Sequence, residues 1–240
     1  MQHQGVKTAV LSLTAPGACI IPDPEGQAAL ARQANDYAAS LRDQDPQSFG
    51  FFATLPDIKN TSAALTEIKY ALDDIRADGV TLFTRYDRCY LGHADIEPIW
   101  QELDKRKATV FVHPTYPFDT HMVSPRMPLP LIDFPHETTR AAVDMMTSGT
   151  LQKYPNVKVI LSHAGGSLPY LISRMLTPLK KTEELGITGF KAGVTHDQAL
   201  STFRSFYYDT ALSSSPQVLR TLLDLVPHDH IVFGVNIILG

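Results

Sequence analysis

Two histidines and an aspartate lie at the ends of strand-like segments in this 240-residue sequence. His113 closes the segment ATVFVHP, His163 lies near the end of VKVILSHA, and Asp209 lies within SFYYDTAL. Because the carboxyl ends of parallel strands meet at one edge of a sheet, we expect these side chains to approach one another. Imidazoles and a carboxylate at such an edge are suited to metal binding or to acid–base catalysis.

Each of the three residues also has a purely structural interpretation. The backbone can satisfy His113, Asp209 can cap the turn that follows it, and His163 can be incidental to a tight strand-to-helix turn. Gly165 and Gly166 favour a functional role for His163, because they allow a sharp turn and bring a helix N-terminus near the imidazole.

Strand-like segments alternate with helical patterns along the chain, which implies serial βα units and a parallel sheet. Seven strands fit an open sheet or a (β/α)8 barrel with one strand fewer, and the polar strand ends favour the barrel. We expect one domain over residues 1–240. Strands are predicted over 8–15, 49–56, 78–85, 108–114, 157–164, 205–212 and 229–236, and helices over 26–44, 61–77, 96–107, 137–154 and 216–226.

A segment with five prolines and no clean periodicity runs over residues 115–137. A connection of this length is commonly functional, and its place directly after His113 suggests a lid or a pocket wall. Its apolar residues either line a pocket or pack onto the barrel; they are Met122, Met127, Leu129, Leu131 and Phe134.

Composition narrows the class of protein. A formal net charge of −4 argues against nucleic-acid binding, and the longest apolar runs are too short to cross a bilayer. Cys19 and Cys89 are predicted to be reduced thiols, and the first residues lack the apolar core of a signal peptide. These features predict a cytoplasmic protein that binds neither nucleic acid nor membrane.

Four segments, VFVHPTYP, YPNVKVILSHAGGSLPYLISRM, FYYDTALS and HDHIVFG, together resemble the amidohydrolase-related decarboxylases. This group is typified by aminocarboxymuconate-semialdehyde decarboxylase. The likeness covers nearly the whole chain and is closest to the fungal branch that acts on 6-methylsalicylate. It implies a (β/α)8 TIM-barrel fold of the metal-dependent hydrolase superfamily, holding one divalent metal, usually zinc.

The resemblance also implies a role for individual residues. His113 matches a metal ligand at the end of the family's fifth strand. His163 matches the residue that transfers a proton beside the metal. Arg174 matches an arginine that, in some members, reaches a substrate carboxylate across a homodimer interface.

The chain departs from the family at both ends. The His-x-His of the first strand has no counterpart, and Asn236 stands near the position where the family has the aspartate ligand of the eighth strand. We therefore expect an incomplete barrel without its first strand and last helix, which indicates a truncated product with only one of the family's four metal ligands.

The function implied by the resemblance is metal-dependent, nonoxidative decarboxylation of a small aromatic hydroxy acid. The favoured reaction converts 6-methylsalicylate to m-cresol within polyketide secondary metabolism. Two alternatives stay open: a metal-dependent hydrolase of a lactone or amide on the same fold, and a catalytically dead remnant.

Overall fold

A sheet of seven parallel strands forms the centre of the computed structural model, which describes residues 5–185 and 193–235. All seven predicted strands are confirmed, each shorter than predicted, and a small antiparallel hairpin accompanies them. In chain order the strands are β1 (Ala9–Ser12), β2 (Phe49–Ala53), β3 (Gly79–Phe83), the hairpin β4 (Arg85–Tyr86) and β5 (Cys89–Tyr90), β6 (Thr109–His113), β7 (Lys158–Leu161), β8 (Tyr207–Asp209) and β9 (Ile231–Val232).

The main sheet follows sequence order, β1-β2-β3-β6-β7-β8-β9, with every neighbouring pair parallel. This is the strand order of a (β/α)8 barrel, and in the part of the chain that the structure describes it is open between β1 and β9. Both faces are covered at the centre, since all five residues of β3 are buried. The fold is therefore the expected barrel type in an open form.

Helices connect the strands and cover the sheet. They are α1 (Pro24–Gln44), α2 (Thr61–Lys69), α3 (Glu97–Lys105), α4 (Asp133–Thr147), α5 (Thr150–Lys153), α6 (Leu168–Leu185), α7 (His196–Ser205) and α8 (Pro216–Leu225). Within the described residues, none of these helices combines the length and the apolar character needed to cross a membrane.

Three helical regions differ from the prediction. The helix predicted over 61–77 is α-helical only over Thr61–Lys69 and continues as a π-helix over Tyr70–Asp74. The helix predicted over 137–154 begins at Asp133, because Pro135 is tolerated in a first turn, and it breaks before Gly149, whose φ is +74°. Helix α7 is absent from the prediction, although the capping box of Thr195 and Gln198 is visible as T-x-x-Q in the sequence.

Candidate active site

His113 is the last residue of β6 and lies opposite Phe83 of β3. Its side chain is buried, and Nδ1 is 2.8 Å from the carbonyl oxygen of Pro114. Since a carbonyl only accepts, Nδ1 carries the proton and Nε2 keeps its lone pair. Burial lowers the pKa of His113, which favours this neutral form.

His163 lies on a tight left-handed turn directly after β7. His163, Ala164, Gly165 and Gly166 all have positive φ, between +54° and +73°. A Cβ on Gly165 would lie 2.8 Å from the Tyr208 ring, and one on Gly166 would lie 2.0 Å from the carbonyl oxygen of Pro135. The sharp turn expected from the two glycines is therefore present, and the close packing of α4 and β8 requires glycine at both positions.

The rings of His113 and His163 meet edge to face, with centroids 5.9 Å apart. Both side chains are buried. Burial, with a smaller contribution from His113, lowers the pKa of His163 to about 4. The structure thus brings together the two histidines that the sequence singled out, and it favours the neutral form of both.

The Asp209 carboxylate binds backbone N–H groups at this edge of the sheet. Its Oδ1 accepts hydrogen bonds from the backbone N–H of His163 at 2.8 Å and of Ala211 at 3.0 Å. Burial raises the pKa of Asp209 to about 6, against the effect of these two donors. Of the two interpretations left open, the structure supports the structural one: Asp209 caps its own turn and holds the backbone of His163.

Aromatic side chains border His113. The Phe134 ring lies 6.2 Å from the His113 ring, and the Tyr116 ring lies 5.9 Å from that of Phe134. Of the five loop residues considered as walls, Phe134 thus lies beside the histidine. Met122, Met127 and Leu131 are exposed, and Leu129 is partly exposed.

Arg85 and Tyr116 also lie at this edge of the sheet, and neither is among the predicted site residues. The Arg85 guanidinium donates to the carbonyl of Tyr116 at 2.5 Å and lies 3.5 Å from the buried Glu137 carboxylate. These contacts tie the segment after His113 to the hairpin and to α4. The signal was available, since Arg85 ends the predicted strand 78–85 in the way His113 ends 108–114.

The described residues fit a catalytic metal site only in part. His113 has the neutral, buried imidazole that a metal ligand requires. Within residues 5–185 and 193–235, however, the ligand atoms of three Cys, His, Asp or Glu residues do not converge around His113. A catalytic zinc normally takes three protein ligands, so these residues alone do not complete such a site.

Arg174 lies on the exposed surface of α6. No ion pair joins it to any residue that the structure describes. The structure therefore does not place Arg174 with the two histidines of its own chain.

Similarity to known proteins agrees with this geometry. The profile of the amidohydrolase family matches residues 20–238. The chain belongs to the amidohydrolase family. This confirms the resemblance inferred from the motifs around His113 and His163.

Relatives within the amidohydrolase family are named as decarboxylases. The chain is 49% identical over 231 residues to the 6-methylsalicylic acid decarboxylase of Penicillium expansum, covering 95% of this chain and 69% of that relative. The crystal structure of 2,6-dihydroxybenzoate decarboxylase from Rhizobium matches with a TM-score of 0.86 at 26% identity, covering 98% of this chain and 74% of that one.

A second solved structure bears on the metal. Dihydroxybenzoic acid decarboxylase from Polaromonas, determined with bound manganese and the inhibitor 2-nitroresorcinol, matches with a TM-score of 0.80 at 25% identity. The match covers 98% of this chain and 72% of that one. Amidohydrolase-type decarboxylases therefore use a divalent metal, although the one in this neighbour is manganese and not the expected zinc.

Proposed function

We propose that the protein is a nonoxidative decarboxylase of a small aromatic hydroxy acid, with 6-methylsalicylate as substrate and m-cresol as product. The observation that carries this proposal is the buried pair of His113 and His163 at the carboxyl ends of β6 and β7, bordered by Phe134. The pair offers two neutral imidazoles beside an aromatic wall. The similarity to 6-methylsalicylic acid decarboxylase supports the choice of substrate.

The proposed reaction uses His163 as a proton shuttle. The neutral imidazole takes the phenolic proton of the substrate and returns it to the ring carbon that bears the carboxylate. That carbon becomes tetrahedral, the bond to the carboxylate breaks, and its electron pair restores the aromatic ring. CO2 and a phenolate leave, and water protonates the phenolate. Burial favours the neutral imidazole that accepts the proton, and the same lowered pKa makes this imidazole a weak base and the imidazolium that forms from it a strong acid toward the ring carbon.

Positioning of His163 is a separate requirement of this mechanism. Asp209 holds the backbone N–H of His163, and the left-handed turn fixes the direction of its side chain. Both histidines are buried, the Phe134 ring lies beside the His113 ring, and the Tyr116 ring contacts Phe134. A dry site strengthens the electrostatic interactions that guide proton transfer.

The remaining assignments are extensions of the same proposal. His113 is proposed as one ligand of a divalent metal, with zinc as the ion that the family resemblance implies; no reaction step is assigned to that metal. Arg174 is proposed to bind the substrate carboxylate of a partner subunit in a homodimer, which its exposed position on α6 allows. The chain is proposed to work as one domain in the cytoplasm, in polyketide secondary metabolism, and its free cysteines are compatible with that compartment.

A two-substrate assay tests the function. Purified protein is incubated with 6-methylsalicylate or with an aromatic lactone, and m-cresol, CO2 and lactone opening are quantified. We expect stoichiometric m-cresol and CO2 and no lactone opening. Lactone opening without CO2 would support the hydrolase alternative. Absence of both products from folded, metal-supplemented protein would support a catalytically dead chain and contradict the proposal.

A further inference from the structure

Three metal-binding residue types lie within seven positions after the hairpin: Cys89, His93 and Asp95. In the folded chain, one potential ligand atom from each of the three lies within 4.8 Å of the other two. The ligand atoms of a tetrahedral zinc ion are about 3.3–3.8 Å apart, given bond lengths of about 2.0–2.3 Å. Cys89 is buried, whereas His93 and Asp95 are exposed, so closing the remaining distance requires rotation of the His93 and Asp95 side chains.

The backbone that carries these residues is held firmly. The indole N–H of Trp100 donates to the carbonyl of Leu91 at 2.6 Å, and the Asp144 carboxylate accepts from the N–H of Gly92 at 2.6 Å. A Cβ on Gly92 would lie 2.8 Å from that carboxylate, so the loop packs directly against α4. Both Leu91 and Ile96 are fully buried. Because the backbone is held on both sides of His93, the three side chains lie near one another before any metal binds.

The polar contacts of the cluster suit a cation. His93 Nδ1 accepts from the backbone N–H of Asp95 at 3.2 Å, so this nitrogen is unprotonated, and a metal bound to it would replace that hydrogen bond. Asp95 Oδ2 lies 3.5 Å from the same nitrogen. The side chains of His93 and Asp95 are 50% and 64% exposed, which gives an ion a path from solvent. Cys89 supplies the buried end of the cluster.

We propose that Cys89, His93 and Asp95 form a second metal site, which takes a borderline-soft divalent transition metal such as zinc. A thiolate, an imidazole and a carboxylate provide three ligands, and water completes the tetrahedron. Binding replaces the thiol proton of Cys89 with the metal–sulfur bond and releases that proton to solvent. This site depends on the hairpin and α4, not on His113 or His163, and so it stands independently of the proposed reaction.

Cobalt titration distinguishes this site from the histidine pair. Co²⁺ replaces Zn²⁺ in tetrahedral sites, and only a thiolate ligand gives a sulfur-to-cobalt charge-transfer band in the near ultraviolet. Metal-free protein is titrated with CoCl2, and then ZnCl2 is added to displace the band. We expect one thiolate-bound Co²⁺ per chain, and loss of the band in Cys89→Ser.

Matched variants complete the test. Cys19→Ser removes the other thiol, whose pKa burial raises to about 11, and is expected to keep the band. His113→Asn is also expected to keep it, whereas His93→Gln and Asp95→Asn weaken cobalt binding at least about tenfold. No band in the wild type, or a band that survives Cys89→Ser, would overturn the proposal. If Cys89→Ser fails to fold, the His93 and Asp95 variants decide, and unchanged cobalt affinity in both would overturn it.

Discussion

The backbone N–H of His163 donates to Oδ1 of Asp209, the aspartate that ends the neighbouring strand, at 2.8 Å. This bond joins the turn after β7 to the end of β8 and sets where the His163 imidazole lies. The position of the proposed proton-transfer group is therefore determined by a buried carboxylate and a left-handed turn, and both make testable predictions.

Gly166→Ala is expected to lower the free energy of unfolding by about 2–4 kcal/mol, because the new Cβ meets the Pro135 carbonyl at 2.0 Å and φ is +64°. Urea denaturation measures the change. Gly193→Ala is the control, since its Cβ would lie 3.4 Å from the nearest atom, a backbone oxygen. Equal effects of the two substitutions would show that the turn does not need glycine.

The pKa of Asp209 predicts how stability depends on pH. Burial raises this pKa from 3.8 to about 6 in the folded chain, so folding favours the protonated carboxyl. The contribution of the protonated Asp209 carboxyl to the free energy of unfolding is complete below pH 3.8 and is lost as pH rises through 6. Asp209→Asn removes this loss. The unfolding free energy of the variant minus that of wild type should therefore increase by about 1–3 kcal/mol between pH 4 and pH 7.

Unfolding titrations at a series of pH values measure this difference. The exposed Asp229→Asn variant controls for the removal of one carboxyl group. A stability difference between Asp209→Asn and wild type that does not change with pH would contradict the account of Asp209.

A buried network around Asn35 gives a prediction far from the histidines. The Asn35 amide donates to the Thr54 carbonyl and to Glu67, and its oxygen accepts from the Thr54 N–H. Asn35→Leu removes the hydrogen bonds to the Thr54 N–H and carbonyl, while Glu67 keeps Arg32, and should cost about 2–4 kcal/mol of unfolding free energy. Gln33→Ala, on the exposed side of the same helix, should change stability by less than about 0.5 kcal/mol. Thermal and urea unfolding measure both variants. Similar losses of unfolding free energy in Asn35→Leu and Gln33→Ala would contradict the buried network around Asn35.

Arg174→Ala tests the dimer part of the proposed function. If Arg174 binds the carboxylate of a partner's substrate, KM for 6-methylsalicylate should rise about 10–100-fold with a smaller change in kcat, because a charged hydrogen bond contributes about 1.5–3 kcal/mol. Lys181→Ala removes another exposed charge from α6 and should leave KM unchanged. Unchanged KM in Arg174→Ala would remove Arg174 from substrate binding.

The strands and the histidine pair are predictable from sequence because buried parallel strands leave apolar runs that end in polar residues. The proximity of His113 and His163 follows from the rule that the carboxyl ends of parallel strands meet at one edge of the sheet. The contacts of Arg85 and Tyr116 are not predictable, because they depend on how a proline-rich segment folds back over the hairpin. The Cys89, His93 and Asp95 cluster is visible as a spacing, but only the distances between the ligand atoms in the folded chain show that these side chains converge.

The most direct measurement is the rate of 6-methylsalicylate decarboxylation by His163→Asn. Asparagine tolerates a φ of +54° better than most residues, so the variant preserves the turn while removing the imidazole. We expect kcat to fall about 10²–10⁴-fold with little change in unfolding free energy, while the exposed His228→Asn keeps the wild-type rate. A folded His163→Asn protein with kcat within about threefold of wild type would contradict the role of His163, since general acid–base catalysis contributes far more than that.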